Sequence, residues 1–488
     1  MLELIILPPL VAGLLCFALS RRPRLAEAAA FAGALLAALF ALFALSSFLA
    51  SPAGLHDFYG LLYLDPVSAL FTTLTAVVGS LIFLYSIGYI REESHEGVVQ
   101  ESQIGTYYGL LSFFLTAMLA ATLAANPMVM WAAIEATTLA PVFLISFYNT
   151  SSSIEAAWKF FIINSVGILL ALVGILMLLF ALLPPGTTTG GDWSSLLVAQ
   201  QGVNMLFLKI AMAFILVGFG TKIGLVPLHV WLPDAHSQAP TPVSALLSGL
   251  LLNIAFYGIV RSYQVVAPYA PVVSFVSGLL ILFGLLSLAI GALRLFFQQN
   301  LKRMLAYSSI ENMGIVALAF GLGGPLGIAA GLFHMISHSL AKPLAFMASG
   351  MMGFAFKTKE IPLIRGGAQV LPLVAIPFVF IAIGLAGSPP FGTFLSELGV
   401  LAASLSASQW AVAGLFVLFT AITFASLLYR VSTMSFGAKP DAVAPFAPAW
   451  TMVLPFFALL ALTVCLGLFP PAPFINLLTL AVHSILGG

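Results

Sequence analysis

Apolar residues run through this chain in long blocks rather than in alternation. Residues 166–183, 273–293 and 451–469 carry no charge at all. A helix of about 20 apolar residues crosses a hydrocarbon core of roughly 30 Å. Only helices and closed barrels satisfy every backbone group in lipid, and barrel strands would show alternating segments of about ten residues. The blocks predict an all-α polytopic membrane protein with about fourteen transmembrane helices. They fall at 2–20, 26–50, 64–90, 104–125, 127–148, 157–183, 204–232, 241–263, 272–296, 303–322, 325–352, 370–405, 409–430 and 450–470.

Basic residues test this count through the positive-inside rule. Of the seventeen Lys and Arg, thirteen, from Arg21 to Lys439, fall in or beside loops after odd-numbered spans, and only Arg261 follows an even-numbered one. A missed or invented span in the middle would erase that asymmetry. It predicts a multi-pass protein of a prokaryotic inner (plasma) membrane with both termini on the outer side. The remaining three, Lys209, Lys222 and Lys342, lie inside spans.

Two predicted spans are interrupted. The seventh carries Gly220, Gly224 and Pro227, and the twelfth carries Gly384, Gly387, Pro389, Pro390 and Gly392. Proline removes a backbone donor and clashes one turn back. Such breaks are tolerated at membrane depth where the backbone lines protein or a water cavity. Broken helices five spans apart point to an inverted repeat with a transport path. The expected division is 1–103 for three N-terminal helices, 104–263 and 272–430 for two five-helix repeats, and 431–488 for a final helix and tail.

Composition narrows the function. Apolar residues make up 61% and charged ones 7%, against roughly 25% charged in a soluble domain. A net charge of +1 offers no patch for nucleic acid. Cys16 and Cys465 sit in apolar runs and read as small core residues. No CxxC, iron–sulfur or haem spacing is present, so no cofactor is expected and any redox centre belongs to a partner chain. The stretch 2–19 lacks a preceding basic segment and reads as the first span rather than a signal peptide.

A charge at the bilayer centre costs about 2.5–3.5 kcal/mol on insertion scales, so those retained are candidates for function. Glu135 lies in mid-span, and Lys159, near the start of the next span, is its nearest partner in sequence. Lys222 sits at the first break; a lysine in a low dielectric can exchange its proton near neutral pH. His229 and His236 flank that break, and histidine suits a relay to the surface. Asp234 between them either locks the loop or admits protons. The seven-residue spacing across prolines forms no closed metal site. His334, His338 and Lys342 recur at i, i+4 and i+8 on one helical face, about 6 Å apart by helix rise, as a proton wire would. Glu397 follows the second break, matching Lys222 after the first. Glu311 mirrors Glu135 as a carboxylate in the second helix of its repeat and is expected nearer the surface. Lys209 and Asp65 lie near span ends and read as interfacial.

Three segments carry a family resemblance. TKIGLVPLHVWLPDAHSQAPTPVSALLSG, NLKRMLAYSSIENMG and FHMISHSLAKPLAFMASG resemble antiporter-like subunits, a group spanning the membrane arm of complex I (the L-, M- and N-type subunits), the large subunits of multisubunit sodium/proton antiporters and energy-converting hydrogenases. The resemblance covers roughly residues 60–430. GFGTK, DAHSQAPTPVSALLSGLLLN and YSSIENMG look most like the F-type membrane component of hydrogenase-4. The chain stops soon after the fourteenth predicted span, where an L-type subunit would continue into a long lateral helix.

The resemblance implies that Glu135 is the essential glutamate of the fifth helix, Lys222 the essential lysine of the seventh, and Glu397 the twelfth-helix proton carrier. It also exposes a departure: where many members have a central lysine in the eighth helix, this chain has Asn253, which cannot hold a proton. Waters past Asn253 to His338 and His334 are the expected bridge. The implied function is a proton-translocating, non-redox subunit of an oxidoreductase complex, with other membrane subunits and peripheral redox subunits as partners. A group 4 hydrogenase or formate hydrogenlyase type is favoured. Complex I, a sodium/proton antiporter and a non-pumping scaffold are the alternatives.

Overall fold

A computed structural model describes residues 1–51, 54–183, 191–197, 202–441 and 443–487. The chain is helical almost throughout. In order come α1 (Glu3–Ala18), α2 (Pro23–Ala50), α3 (Pro66–His95), α4 (Glu101–Leu123), α5 (Pro127–Ile145), α6 (Ser151–Leu182), α7 (Trp193–Leu196), α8 (Met205–Ile223), α9 (Trp231–Gln238), α10 (Thr241–Leu246), α11 (Leu252–Val266), α12 (Ala270–Phe296), α13 (Leu301–Leu322), α14 (Gly324–Phe356), α15 (Gly367–Val370), α16 (Pro372–Leu385), α17 (Gly392–Ser406), α18 (Trp410–Ser435), α19 (Trp450–Leu468) and α20 (Ala472–Leu486). A small antiparallel hairpin, β1 (Leu55–Asp57) with β2 (Leu62–Leu64), pairs Leu55 with Leu64 before α3.

Polar residues at span ends start the helices. The Asp65 carboxylate accepts from the Ser68 amide in a capping box on α3. Asn126, Thr150, Asn204 and Asn300 likewise accept from the first turns of α5, α6, α8 and α13. Each satisfies donors that a bare helix end would leave unpaired.

Eleven helical segments among the described residues are long and apolar enough to cross a membrane: α2 to α6, α8, Thr241–Val266, α12, α13, α18 and α19. The other three predicted spans correspond to α1, α14 and the pair α16 and α17. α1 has 16 residues, and α16 and α17 are short halves. α14 has 33 residues, but its histidines and lysine lower its hydropathy. Residues 471–488, expected as a tail, instead carry α20, which packs against α3, α11 and α14.

Burial orders the bundle. The Thr241–Val266 segment is 100% buried along its most apolar window, against 28% for α12 and 33% for α18. α10, a π-turn at Leu247–Leu251 and α11 therefore form a central rod, with α12, α18, α6 and α2 outside it. The outer face carries exposed Phe180, Phe297 and Phe469, as lipid contact requires. Trp410 and Trp450, both 68% exposed, start α18 and α19, where interfacial aromatics belong. Cys16 is buried as expected, whereas Cys465 is exposed on α19.

Both interruptions are real. α8 ends at Ile223, capped by Gly224 at φ +79°, and seven residues, 224–230, lie between it and α9. α16 and α17 are separated by a segment in which Gly387 takes φ +70°. Glycine adopts this left-handed conformation without steric cost.

Candidate functional site

The first cluster joins α5 and α8. Asn126 sets the start of α5, which places Glu135 and Thr138 one turn apart on the face toward α8. Small residues bring the neighbouring helices close: a Cβ on Gly218 of α8 would collide with the Ala171 backbone of α6. Lys222, in the last turn of α8, is fully buried. Its Nζ donates to Ile134 O at 2.7 Å and to Thr138 Oγ1 at 2.5 Å. Thr138 in turn donates to Glu135 Oε2 at 3.3 Å. One hydroxyl thus links ammonium and carboxylate. Glu135 itself is half-buried, between the exposed Ala132 and Ala136.

Lys159 is not the partner of Glu135. Its ammonium, 44% exposed, pairs with Glu155 at 2.7 Å and Asp234 at 3.0 Å. Asp234 also binds Arg303 at 2.8 Å. The Asp234 carboxylate therefore ties α9 to α6 and α13, a tertiary bridge that proximity in sequence could not show. His229 and His236 face different neighbours. His229 lies edge-on to Tyr307, ring centres 6.5 Å apart. His236 is fully buried and stacked on Phe346 at 5.1 Å, and neither of its ring nitrogens has a hydrogen-bond partner among the described residues.

On α14, His334, His338 and Lys342 share a face as predicted and are all fully buried. They are not bonded to one another; each reaches a different helix. His334 Nδ1 pairs with Ser396 Oγ at 2.9 Å and Nε2 with Asn312 Oδ1 at 3.2 Å. His338 Nε2 pairs with Ser248 O at 3.2 Å. Lys342 Nζ donates to Ser308 Oγ at 2.6 Å and Leu305 O at 3.3 Å. The expected wire is thus a set of side branches: a helix repeat brings rings to one face, but the lateral partners set where each ring turns.

Glu311 is buried, not near the surface. It lies one turn beyond Ser308, and its Oε2 accepts from Asn312 Nδ2 at 2.6 Å. Asn312 is shared with His334, so Glu311, Asn312, His334 and Ser396 form one bonded series ending beside Glu397. Glu397 is nearly buried, its carboxylate packed against Gly387 in the space that a Cβ there would fill. At the centre, Asn253 Nδ2 donates to Ser339 Oγ at 2.6 Å and Met335 O at 2.9 Å. Ser339 donates to Gly249 O at 2.6 Å, inside the π-turn, a distortion frequent at functional sites. Asn253 thus bolts the central rod to α14.

Of the two residues read as interfacial, Asp65 behaves otherwise. Asp65 is buried and held by Arg261, with NH1 at 2.5 Å and NH2 at 2.8 Å. Arg261 is itself fully buried, next to the Trp193 and Tyr257 rings, so the one basic residue assigned to an outer loop is a core ion pair. Lys209 is half-buried on α8.

Residues 124–423 match the family described as NADH:quinone oxidoreductase/Mrp antiporter, transmembrane, and residues 54–97 match the complex I chain 5 N-terminus. The chain belongs to the NADH:quinone oxidoreductase/Mrp antiporter family. It is 35% identical over 460 residues to the hydrogenase-4 component F homolog of Methylacidiphilum infernorum, covering 90% of this chain and 95% of that one. It superposes on a chain of the membrane-bound sulfane sulfur reductase, an archaeal respiratory membrane complex, with a TM-score of 0.88 and 25% identity over 99% of this chain and 97% of the other. A chain of respiratory complex I from Thermus thermophilus shares the fold, with a TM-score of 0.76 at 24% identity, covering 97% and 99%.

In this antiporter-family chain, the charged members of the site and Asn253 were legible, and the other neutral polar residues were not. Thr138, Ser308, Asn312 and Ser396 supply the side-chain contacts that fix the lysines, His334 and Glu311, Ser248 offers its backbone carbonyl to His338, and Ser339 holds Asn253. One signal was available: a hydroxyl lies one turn from each carboxylate, Thr138 after Glu135 and Ser308 before Glu311.

Proposed function

We propose that this chain translocates protons as the antiporter-like membrane subunit of an energy-converting redox complex, of the group 4 membrane-bound hydrogenase or formate hydrogenlyase type. The carrying observation is the fully buried Lys222, whose ammonium is linked to Glu135 through the Thr138 hydroxyl. A charge that remains so buried must be matched by polar partners or released, and a hydroxyl that accepts from one group and donates to the other lets the two states communicate. The 35% identity to a hydrogenase-4 component F homolog over 95% of that protein supports the choice of complex.

In this reading residues 104–263 and 272–430 are two inverted five-helix repeats within fourteen spans, both termini face outward, and the chain lies in a prokaryotic plasma membrane. Each repeat holds a lysine bonded to a carbonyl and a hydroxyl of its own second helix: Lys222 with Ile134 and Thr138, Lys342 with Leu305 and Ser308. Glu135 and Glu311 are the carboxylates of these two units. His334, Asn312 and Ser396 carry protons from the second unit toward Glu397, and water past Asn253 joins the two units through His338. The half-exposure of Glu135 leaves it open to a neighbouring membrane subunit, whose redox-driven motion would perturb it. His229 and His236 connect the first break to the basic face. Lys159 keeps a positioning role through Asp234.

Proton uptake by vesicles containing the reconstituted complex tests this. Lys222→Ala and Glu135→Ala are expected to abolish transport while the complex stays assembled; full transport in both would end the proposal. The identity of the co-purifying subunits separates a hydrogenase from a complex I or sodium/proton antiporter assembly.

A further inference from the structure

The lysine, histidine and glutamate units account for the interior of the path but leave unexplained a polar cavity of about 680 Å³ that opens beside α3 and α14. Lys302, Lys357 and Lys359 stand around it with Glu96, giving its mouth a basic face. Glu93, in the last turns of α3, is its least expected member. It is only 6% exposed, and its Oε2 has no hydrogen-bond partner among the described residues. An orphaned carboxylate oxygen at that depth is costly in a purely structural role.

The other oxygen of Glu93 begins a series of hydroxyls. Tyr148 donates to Glu93 Oε1 at 2.5 Å. The Tyr148 and Tyr89 hydroxyls are 3.5 Å apart, and Thr241 Oγ1 donates to Tyr89 at 3.3 Å. All four residues line the cavity. Thr241 is the first residue of α10 and so of the central rod. Two further contacts place the inner end of the series beside His236. Ser244, one turn on, donates to His236 O at 2.9 Å, and the buried Lys302 ammonium is bound to Ala239 O. The cations facing Glu93 are Lys302 and Lys359, the latter 5.9 Å from the Tyr148 ring centre.

We propose that this cavity is the proton-uptake vestibule, with Glu93 the carboxylate that receives the proton and Tyr148, Tyr89 and Thr241 the relay that passes it to the central rod; this rests on the proton-translocating reading above. Hydroxonium in the cavity gives one proton to Glu93. The neutral acid donates to the Tyr148 oxygen as Tyr148 gives its own proton to Tyr89 and Tyr89 gives its proton to Thr241. Each oxygen gains one proton and loses one. The Thr241 proton leaves through water to a ring nitrogen of His236. Before the hop the three hydroxyls turn to donate away from the carboxylate, and the hop itself returns them to the resting orientation, in which Thr241 donates to Tyr89 and Tyr148 donates to Glu93. Lys302 and Lys359 face Glu93, and their attraction favours the return of its ionised form once the proton has moved on.

Three measurements on the intact complex in vesicles test the vestibule. Glu93→Gln is expected to slow proton uptake by about tenfold or more, as loss of a general acid–base group does, with Glu93→Asp restoring most of the rate. Tyr148→Phe, which keeps the ring and removes the relay oxygen, is expected to slow uptake about threefold, the scale of one lost hydrogen bond. Gly353→Cys, at a cavity position with room for a side chain, is expected to react with a membrane-impermeant thiol reagent from the basic face in a background lacking Cys16 and Cys465. Wild-type uptake in both Glu93→Gln and Tyr148→Phe overturns the proposal, as does a Gly353→Cys thiol that never reacts. If Glu93→Gln fails to assemble, Tyr148→Phe and the labelling decide. Loss of transport in Lys222→Ala with none in Glu93→Gln or Tyr148→Phe rejects the vestibule alone; no loss in any of them rejects the translocation reading as well.

Discussion

Lys222 is bound to Thr138 by a 2.5 Å hydrogen bond, and no carboxylate contacts its ammonium directly among the described residues. The bond makes a threonine hydroxyl, not a second charge, the immediate partner of the buried lysine. Thr138→Val removes that hydroxyl at nearly constant volume and leaves Ile134 O as the remaining acceptor. A hydrogen bond to a charged group is worth about 1.5–3 kcal/mol, so proton uptake by reconstituted vesicles should fall roughly ten- to a hundredfold. A rate within twofold of wild type would show that Glu135 and Lys222 communicate by another route.

Lys159 and Asp234 should behave differently although they are paired. Lys159→Ala removes one arm of a solvent-exposed bridge, worth about 0–1 kcal/mol, and uptake should stay within about threefold of wild type. Asp234→Ala releases both Lys159 and Arg303 and unties α9 from α6 and α13, so it should cost more. Equal rates for the two variants would contradict the bridging role.

Gly387 shapes the pocket of Glu397. Any side chain there must adopt φ +70° and meet the Glu397 carboxylate. The backbone cost alone is about 1–2 kcal/mol for a non-glycine residue. Gly387→Ala is expected to abolish transport, whereas Gly414→Ala, with nothing within 4 Å of its Cβ position, should be silent. Unaltered uptake in Gly387→Ala would show that Glu397 tolerates displacement.

Asn253 is both a bolt and a polar gap. Asn253→Leu deletes its donors to Met335 O and Ser339 Oγ and dries the space between the Lys222 unit and His338. Coupled proton transport should drop. Unchanged transport would mean that no path crosses this position.

Asp65 and Arg261 hold the hairpin side of the bundle. Asp65→Asn leaves the buried guanidinium without its counter-charge, which costs about 3–5 kcal/mol. Thermal denaturation of the detergent-solubilised complex should shift to lower temperature. The double variant Asp65→Asn/Arg261→Leu should recover part of the loss, because the unpaired charge is gone. A double variant no better than the single would mean that the Arg261 contacts to Tyr257 and Gln264 dominate.

The helical fold and both broken helices were legible because each rests on local chemistry. A run of apolar residues has one stable form in lipid, and Gly–Pro clusters break a helix wherever they fall. The titratable row on α14 was legible for the same reason: a repeat of four fixes a common face. The Glu135–Lys159 pairing failed because neighbours in sequence need not share a face, and Lys159 found Asp234, 75 residues away, instead. Glu311 and Asp65 were placed too near the surface because position in a span does not tell how neighbouring helices cover it.

What the sequence determined by itself, then, is where helices form and break and which residues carry charge into the membrane, since those follow from hydropathy and backbone sterics over a few turns. The tertiary structure decided which charge meets which partner. That depends on the rotation and close approach of helices far apart in the chain. It brings Asp65 to Arg261 and Asp234 to Lys159 directly, whereas around the buried lysines and His334 the meeting points are neutral: Thr138 between Lys222 and Glu135, Ser308 at Lys342, Asn312 and Ser396 around His334. A hydroxyl or amide has no marked preference in sequence, because it costs little to bury once a partner is found; only packing supplies the partner.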